Sequence, residues 1–228
     1  MPGLAGRCHM SGSRVAAAAG RVEAGSRMPE RESAWERFWE STHIGYEQWH
    51  EGIGYDLGAL GEMTAEQREQ VVADLRGRPQ GWREVEVYGA IATPAARSAL
   101  HDALGSDPDT RLHAAAALRD IGEDVDLAGI VAAELSRVTI GDGMVTALRL
   151  VERVPTREAK LVLLREALRR PEVGVHYAAE LCFLTGVTST SFDWDMRPFF
   201  LRFGEHAPES ERQAAFEELC RLTGLRPD

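Results

Sequence analysis

The most constraining feature of this sequence is a repeat of apolar residues at intervals of about thirty positions. One series is separated by 30, 30 and 33 residues, and a second keeps the same offsets: Tyr88, Leu118, Leu148 and Leu181, then Ile91, Ile121, Val151 and Leu184. A third series, in the segments that precede these, has the same spacing: Leu100, Ile130 and Leu163. Because self-similarity at a fixed period is the signature of a repeat array, the chain is predicted to fold as stacked copies of one unit.

The punctuation between these positions predicts that each unit is a pair of helices, A and B. Cap residues, an apolar stripe and then a Gly or Pro recur from Ser33 onward. The predicted A helices are 64–76, 94–104, 125–138 and 157–169, and the predicted B helices are 82–92, 109–121, 142–154 and 172–185. The start and stop signals are two capping boxes, two prolines and four glycines: Thr64 with Gln67, Ser210 with Gln213, Thr93-Pro94, Pro155-Thr156, Gly77, Gly105, Gly122 and Gly224.

A helix pair of this kind exposes an apolar stripe that only its neighbours can cover, so the pairs are expected to stack into a solenoid with atypical units at each end. Residues 32–63 are predicted to form the N-terminal cap, 64–185 the repeats and 186–228 the C-terminal cap of one domain. Each cap is rich in apolar and aromatic residues: Trp35, Phe38, Trp39, Trp49, Ile53, Leu57 and Leu60, then Phe192, Trp194, Phe199, Phe200 and Phe203. The fold class is therefore all-α.

The segment Ser106–Gly122 resembles the turn and second helix of a HEAT repeat, of the bacterial phycobilisome-lyase-type subgroup. The matching positions are Asp107-Pro108, Arg111, Ala114, Ala115, Leu118 and Ile121-Gly122, with a weaker second match from Pro171 to Leu181. The resemblance implies a short right-handed α-solenoid of about four helix pairs. HEAT-like proteins are mostly scaffolds and adaptors, and a minority are lyase subunits or DNA-base glycosylases, so the fold alone leaves the function open.

Composition limits the compartment and the partners. The chain has 36 acidic and 26 basic residues, a net charge of −10, which disfavours binding to nucleic acid or to anionic membranes. No apolar run is long enough to span a bilayer, and three scattered cysteines form no disulfide framework or zinc motif, so a cytoplasmic protein is predicted. Residues 1–31 are predicted to be a disordered tail or to lie before the true start at Met10 or Met28, although their spaced arginines resemble a transit peptide.

No motif for nucleophilic, phosphate-binding or dinucleotide chemistry is present, so neither an enzyme nor a cofactor is predicted. Glu47-Gln-Trp-His50 is a single E-x-x-H, the motif that di-iron bundles use in two copies with two further glutamates. One copy is a weak indication of a metal site. Whether Glu47 and His50 bind a metal is left open.

Two surfaces are candidates for binding a partner. Arg119 and Arg149 occupy equivalent positions of successive B helices and are expected to be adjacent, where they would read a carboxylate or phosphate, unless they simply pair with Glu123 and Glu152. Residues at another common offset are expected to line the same surface: Arg83, His113 and His176. The second candidate is the aromatic segment with Tyr46, Trp49 and His50, which could instead be core of the N-terminal cap.

Together these features predict a non-enzymatic scaffold or adaptor that binds another protein. A basic partner suits the acidic chain, and a bacterial immunity protein that masks a cationic nuclease is one such role. The alternative is a HEAT-like enzyme or enzyme subunit of the lyase or glycosylase type. The sequence predicts no particular oligomeric state.

Overall fold

The computed structural model describes residues 33–227, and the regular structure of this part is helical apart from an isolated bridge of Thr139 with Asp142 and Gly143. The tail or early start predicted for residues 1–31 lies outside the described residues. The helices in chain order are α1 (Ala34–Ser41), α2 (Tyr46–His50), α3 (Leu57–Glu62), α4 (Ala65–Arg76), α5 (Trp82–Ile91), α6 (Pro94–Ala103), α7 (Pro108–Asp120), α8 (Leu127–Glu134), α9 (Met144–Arg153), α10 (Arg157–Arg169), α11 (Pro171–Leu184), α12 (Arg197–Phe200) and α13 (Glu209–Thr223). Within this range, none of the helices combines the length and the apolar character needed to cross a bilayer.

A helix is present at each of the eight predicted repeat positions. The predicted A helices correspond to α4, α6, α8 and α10, and the predicted B helices to α5, α7, α9 and α11. The largest difference is in α8, which is shorter than the predicted 125–138. Asp126 caps its start by accepting a hydrogen bond from the Gly129 amide, and the chain leaves the helix after Glu134 to form the bridge at Thr139.

Three of the predicted helix starts are confirmed and one is wrong. Thr64 forms a capping box with Gln67, and Thr93 caps α6 with Pro94 in its first turn. Thr156 is the N-cap of α10, which begins at Arg157 as predicted, with Pro155 just before the cap. By contrast, α13 begins at Glu209, which places Ser210 inside the first turn rather than at the cap.

The two helices of each predicted pair pack against each other. Contacts join α4 to α5, α6 to α7, α8 to α9 and α10 to α11. Across the pairs, α5 contacts α7 and α7 contacts α9, while α4 contacts α6 and α8 contacts α10. The buried side chains form one apolar core in which Tyr88, Leu118 and Leu181 of the first repeat series are fully buried. Leu148 is partly buried against that core.

The caps bury only part of their apolar and aromatic residues. Phe38 and Leu60 are buried, and so are Phe200 and Phe203 at the other end, but Trp194 is 74% exposed. Trp49, Ile53, Leu57 and Leu60 have the spacing of one apolar helical face, but in the structure they do not share one helix. The reason is local: α2 ends at His50, and Gly52 then adopts a left-handed conformation with φ of +63° that breaks the periodicity.

Arg111 joins one repeat to the next through a partly buried network. Its guanidinium donates to the carbonyls of Leu104 and Ser106 at 2.7 Å each, and it forms a salt bridge with Glu134, which is 2% exposed. The first two contacts close the turn before α7, and the third ties that turn to the end of α8. Arg111 is one of the positions that resemble a HEAT repeat.

Replacing Arg111 should therefore destabilise the protein far more than replacing an exposed arginine. We expect Arg111→Ala to lower the free energy of unfolding by about 3 kcal/mol, because it leaves the buried Glu134 carboxylate without its main partner. Arg137 contacts the same carboxylate at 3.3 Å but is 64% exposed, so Arg137→Ala should cost under about 1 kcal/mol. Urea-induced unfolding measures both, and equal effects would contradict this assignment.

Glu180 of α11 is another buried carboxyl group, and in the part of the chain that the structure describes it forms no salt bridge with a basic side chain. It is 2% exposed, and its Oε1 has no hydrogen-bond partner among residues 33–227. Burial raises the pKa of Glu180 to about 7, and the charge of Glu152 adds to the effect. The group is consequently protonated in the folded state at pH values where an exposed glutamate is ionised.

This raised pKa predicts a pH-dependent penalty on folding. Between about pH 4.5 and 7 the unfolded chain loses the Glu180 proton while the folded chain keeps it, so stability falls through that range and the loss is complete above pH 7. Glu180→Gln should therefore gain about 2 kcal/mol relative to the wild type on going from pH 5 to pH 8. Urea unfolding of both proteins at the two pH values tests this, and a pH-independent difference would contradict it.

Candidate interaction groove

Three successive B helices line a groove with a volume of about 340 Å³, here named the helix groove. Its residues come from α5, α7 and α9: Val85, Glu86, His113, Ala116, Ala117, Asp120, Thr146, Arg149, Leu150 and Arg153. The four residues from α7 follow the spacing i, i+3, i+4, i+7, and so do the four from α9. Each set is one helical face, which is why two separate helices can present a continuous surface.

The contacts between α7 and α9 set the register of this groove. Arg153 donates to Asp120 at 2.6 Å, and Thr146 contacts His113 at 3.3 Å, both across a separation of 33 residues. In this register Arg149 matches Ala116 rather than Arg119. The repeat-equivalent positions, 30 residues apart, are thus displaced by about one helical turn from the pairs in contact.

The helix groove is lined by one of the two arginines that were expected to be adjacent. Arg149 lines the helix groove, whereas Arg119 is exposed and does not. The ion pairs proposed as the alternative are wrong, because Glu123 pairs with Arg97 at 2.6 Å. Among the described residues, neither Arg119 nor Arg149 has an acidic group within 4.0 Å.

His113 is held between an aromatic ring and a hydroxyl group. The Trp82 ring stacks on it with centroids 6.0 Å apart, and Thr146 Oγ1 lies 3.3 Å from its Nε2. Thr146 donates its own proton to Asp109 Oδ1 at 2.6 Å, so its oxygen can accept from Nε2–H. A nucleophile would instead donate to the imidazole, which means that this network positions His113 rather than activating Thr146.

Glu86 provides the acidic wall of the helix groove. It is half-buried, and burial raises the pKa of its carboxyl group, while the charges of His113 and Arg83 oppose that rise. Close approach of Gly54 adds to the burial, because a Cβ there would lie 3.0 Å from Glu86 Oε2. Arg83 holds this loop in place by donating to the Ile53 carbonyl at 2.8 Å.

A second groove of about 380 Å³, here named the acidic groove, lies at the N-terminal ends of α5, α7 and α9. Three carboxylates line it, from Asp107, Asp109 and Asp142, and no basic side chain is among its described lining residues. Burial first, and then the charges of Asp107 and Asp109, raise the pKa of Asp142. Thr146 lines both grooves, so they adjoin at this residue.

The acidic groove depends on a tight loop between α8 and α9. Gly143 has φ of +75°, and a Cβ on it would come within 3.2 Å of the Asp109 amide nitrogen. Ile140 and Val145 beside it are 59% and 53% exposed, which gives the carboxylates an apolar rim. These residues were missed at the sequence level, although the pattern Gly-Asp-Gly at 141–143 marks the loop.

The predicted aromatic surface is separate from both grooves. Tyr46 is 76% and Trp49 65% exposed, with ring centroids 6.4 Å apart, and the His50 ring lies 5.9 Å from that of Tyr46. His50 contacts Glu51 at 3.2 Å rather than Glu47. No group of three or more potential metal ligands occurs within residues 33–227.

The other predicted site residues lie around or away from the helix groove. Arg83 stacks on Trp82, with its guanidinium carbon 4.3 Å from the ring centroid, so it borders the groove without lining it. His176 lies on α11, is partly buried and lines neither groove. Burial lowers the pKa of His176. Of the eight residues, His113 and Arg149 are the ones that the helix groove brings together.

The Thr146 hydroxyl should be worth about one hydrogen bond to the stability of the site. We expect Thr146→Val to lower the free energy of unfolding by about 1 kcal/mol and Thr146→Ser to leave it nearly unchanged. Urea unfolding measures this. The imidazole ¹⁵N chemical shifts of His113 should show a smaller fraction of the Nε2–H tautomer in Thr146→Val than in the wild type, and no change in Thr146→Ser. Identical His113 spectra for the two variants would contradict the network.

Comparison with known proteins gives no further indication of what these grooves bind. A search of family models, of curated proteins and of solved structures finds no match to this chain.

Proposed function

We propose that this chain is a non-enzymatic protein-interaction scaffold of the HEAT-like type. In this proposal the four helix pairs, α4–α5 through α10–α11, form a short right-handed α-solenoid closed by the two caps, and the protein acts in the cytoplasm. The contacts of α5 with α7 and of α7 with α9 support the stacking of successive pairs. The Arg111 network is consistent with it, since it links one pair to the next.

The observation that carries the proposal is the surface formed by the helix groove and the acidic groove, which adjoin at Thr146. It is open, it spans three helices, and it combines apolar residues with charged groups that lack a full set of partners. Surfaces of this composition bind other macromolecules, because charge complementarity orients the partner and apolar contact supplies affinity.

The partner we propose is a basic protein. The acidic groove offers three carboxylates without a neutralising cation in its described lining, and the chain as a whole has a net charge of −10. A partner that places Arg or Lys side chains there relieves the repulsion by Asp107 and Asp109, which adds to burial in raising the pKa of Asp142. Neutralisation of a cationic toxin, as by an immunity protein, is one role of this kind.

We prefer a scaffold to the enzyme alternative because of the hydrogen-bond direction at Thr146. The Thr146 hydroxyl donates to Asp109. The hydroxyl oxygen and the Asp109 carboxylate both lie close to the same nitrogen of His113, Nε2. An acyl-transfer or hydrolytic site needs the base to accept the proton of the nucleophile. This arrangement positions His113 for binding and does not activate Thr146 as a nucleophile.

Charge reversal in the acidic groove tests the proposal. Asp142→Lys should reduce the capture of basic proteins from an extract of the source cells at least about fivefold, because like charges then meet at the interface. Glu69→Lys makes the same charge change on an exposed position of α4, outside both grooves, and should leave capture unchanged. Capture is quantified by mass spectrometry at two salt concentrations, and equal recovery by both variants would contradict the proposal.

A further inference from the structure

The helix groove contains one cation that the protein itself does not use. Arg149 is exposed on α9, and within the described part of the chain no carboxylate lies within 4.0 Å of it. Arg153, one turn further on, differs because it donates to Asp120 at 2.6 Å. A guanidinium that lines a groove without a partner is positioned to donate hydrogen bonds to a carboxylate of another molecule.

The walls next to Arg149 are apolar. Val85, Ala116, Ala117 and Leu150 come from three helices and line the same space. The volume of about 340 Å³ is at the lower end of the range for ligand sites, so it suits a single side chain better than a long segment. An apolar group attached directly to a carboxylate would therefore fill the groove.

The opposite wall of the groove offers a hydrogen-bond acceptor. The Glu86 carboxylate is half-buried, and it lines the groove together with His113, whose ring is fixed by Trp82 and Thr146. A ligand that brings an N–H donor near its apolar group would satisfy Glu86. The last residue of a polypeptide has these three elements together: an amide N–H, a side chain and a free carboxylate.

We propose that the helix groove binds the C-terminal residue of a partner chain when that residue is apolar, with Arg149 holding the terminal carboxylate and Glu86 accepting from the backbone N–H. This inference rests on the proposed scaffold function and names the part of the partner that the groove recognises. An internal Asp or Glu side chain carries its carboxylate on a different residue from the apolar group and fits the groove less well.

Two short peptides test the inference on the full chain. Acetyl-glycyl-leucine has a free carboxylate, and acetyl-glycyl-leucinamide is its neutral match. With ¹³C-labelled alanine methyl groups, the signals of Ala116 and Ala117 should shift on titration with the first peptide, while the buried Ala215 of α13 serves as an internal control. The amide should bind about tenfold more weakly, the effect of losing one charge-assisted hydrogen bond.

Two variants and a third peptide complete the design. Arg149→Gln should lower the affinity for the free acid to that of the amide, whereas Arg119→Gln, the repeat-equivalent arginine outside the groove, should leave it unchanged. Equal binding of the acid and the amide, or an unaffected Arg149→Gln, overturns the inference. Acetyl-aspartyl-leucinamide binding as tightly as the free acid overturns the assignment to a chain terminus.

These outcomes are separate from those that test the scaffold function. If neither peptide shifts Ala116 and Ala117 while Asp142→Lys still reduces capture of a basic protein, the scaffold function holds and the C-terminal site is wrong. If the peptides bind as expected while Asp142→Lys has no effect on capture, the groove reads chain termini and the basic partner is wrong.

Discussion

The salt bridge between Arg111 and Glu134 is the interaction on which the central part of the structure depends. Arg111 closes the turn before α7 and, through a carboxylate that is 2% exposed, fixes that turn to the end of α8. Arg170 has a similar role two helix pairs later, where it donates to the Val138 carbonyl at 2.8 Å. A buried pair of this kind gains little net energy over an apolar pair, but breaking it is costly, so it favours one arrangement of the helices over others.

The register that follows from this arrangement determines which residues share a surface. Asp120 with Arg153 and His113 with Thr146 are joined across 33 positions, although the sequence between these helices repeats at 30. The difference is about one turn. It matches Arg149 with Ala116 in the helix groove and leaves Arg119 outside, so one arginine of an equivalent pair lines the groove and the other does not.

The charges of the surface are distributed unevenly along the same three helices. The N-terminal ends of α5, α7 and α9 meet at the acidic groove, where Asp107 caps α7 and the loop with Gly143 brings in Asp142. The opposite side of Thr146 carries Arg149 and Arg153. A ligand on this surface is therefore oriented, with its cationic part toward the loop and its anionic part toward Arg149.

The sequence by itself determined the helices, because caps, prolines and apolar spacing act within a few residues: Thr64, Thr93 and the periodic Leu118 specify their elements locally. It also determined the acidic balance, from which the proposal of a basic partner is argued. Only the tertiary structure decided the grooves. The shift of one turn between α7 and α9, the exposure of Trp49 after Gly52 and the meeting of Asp109 with Thr146 depend on how distant helices pack, and no local signal in the chain encodes the offset between two helix faces.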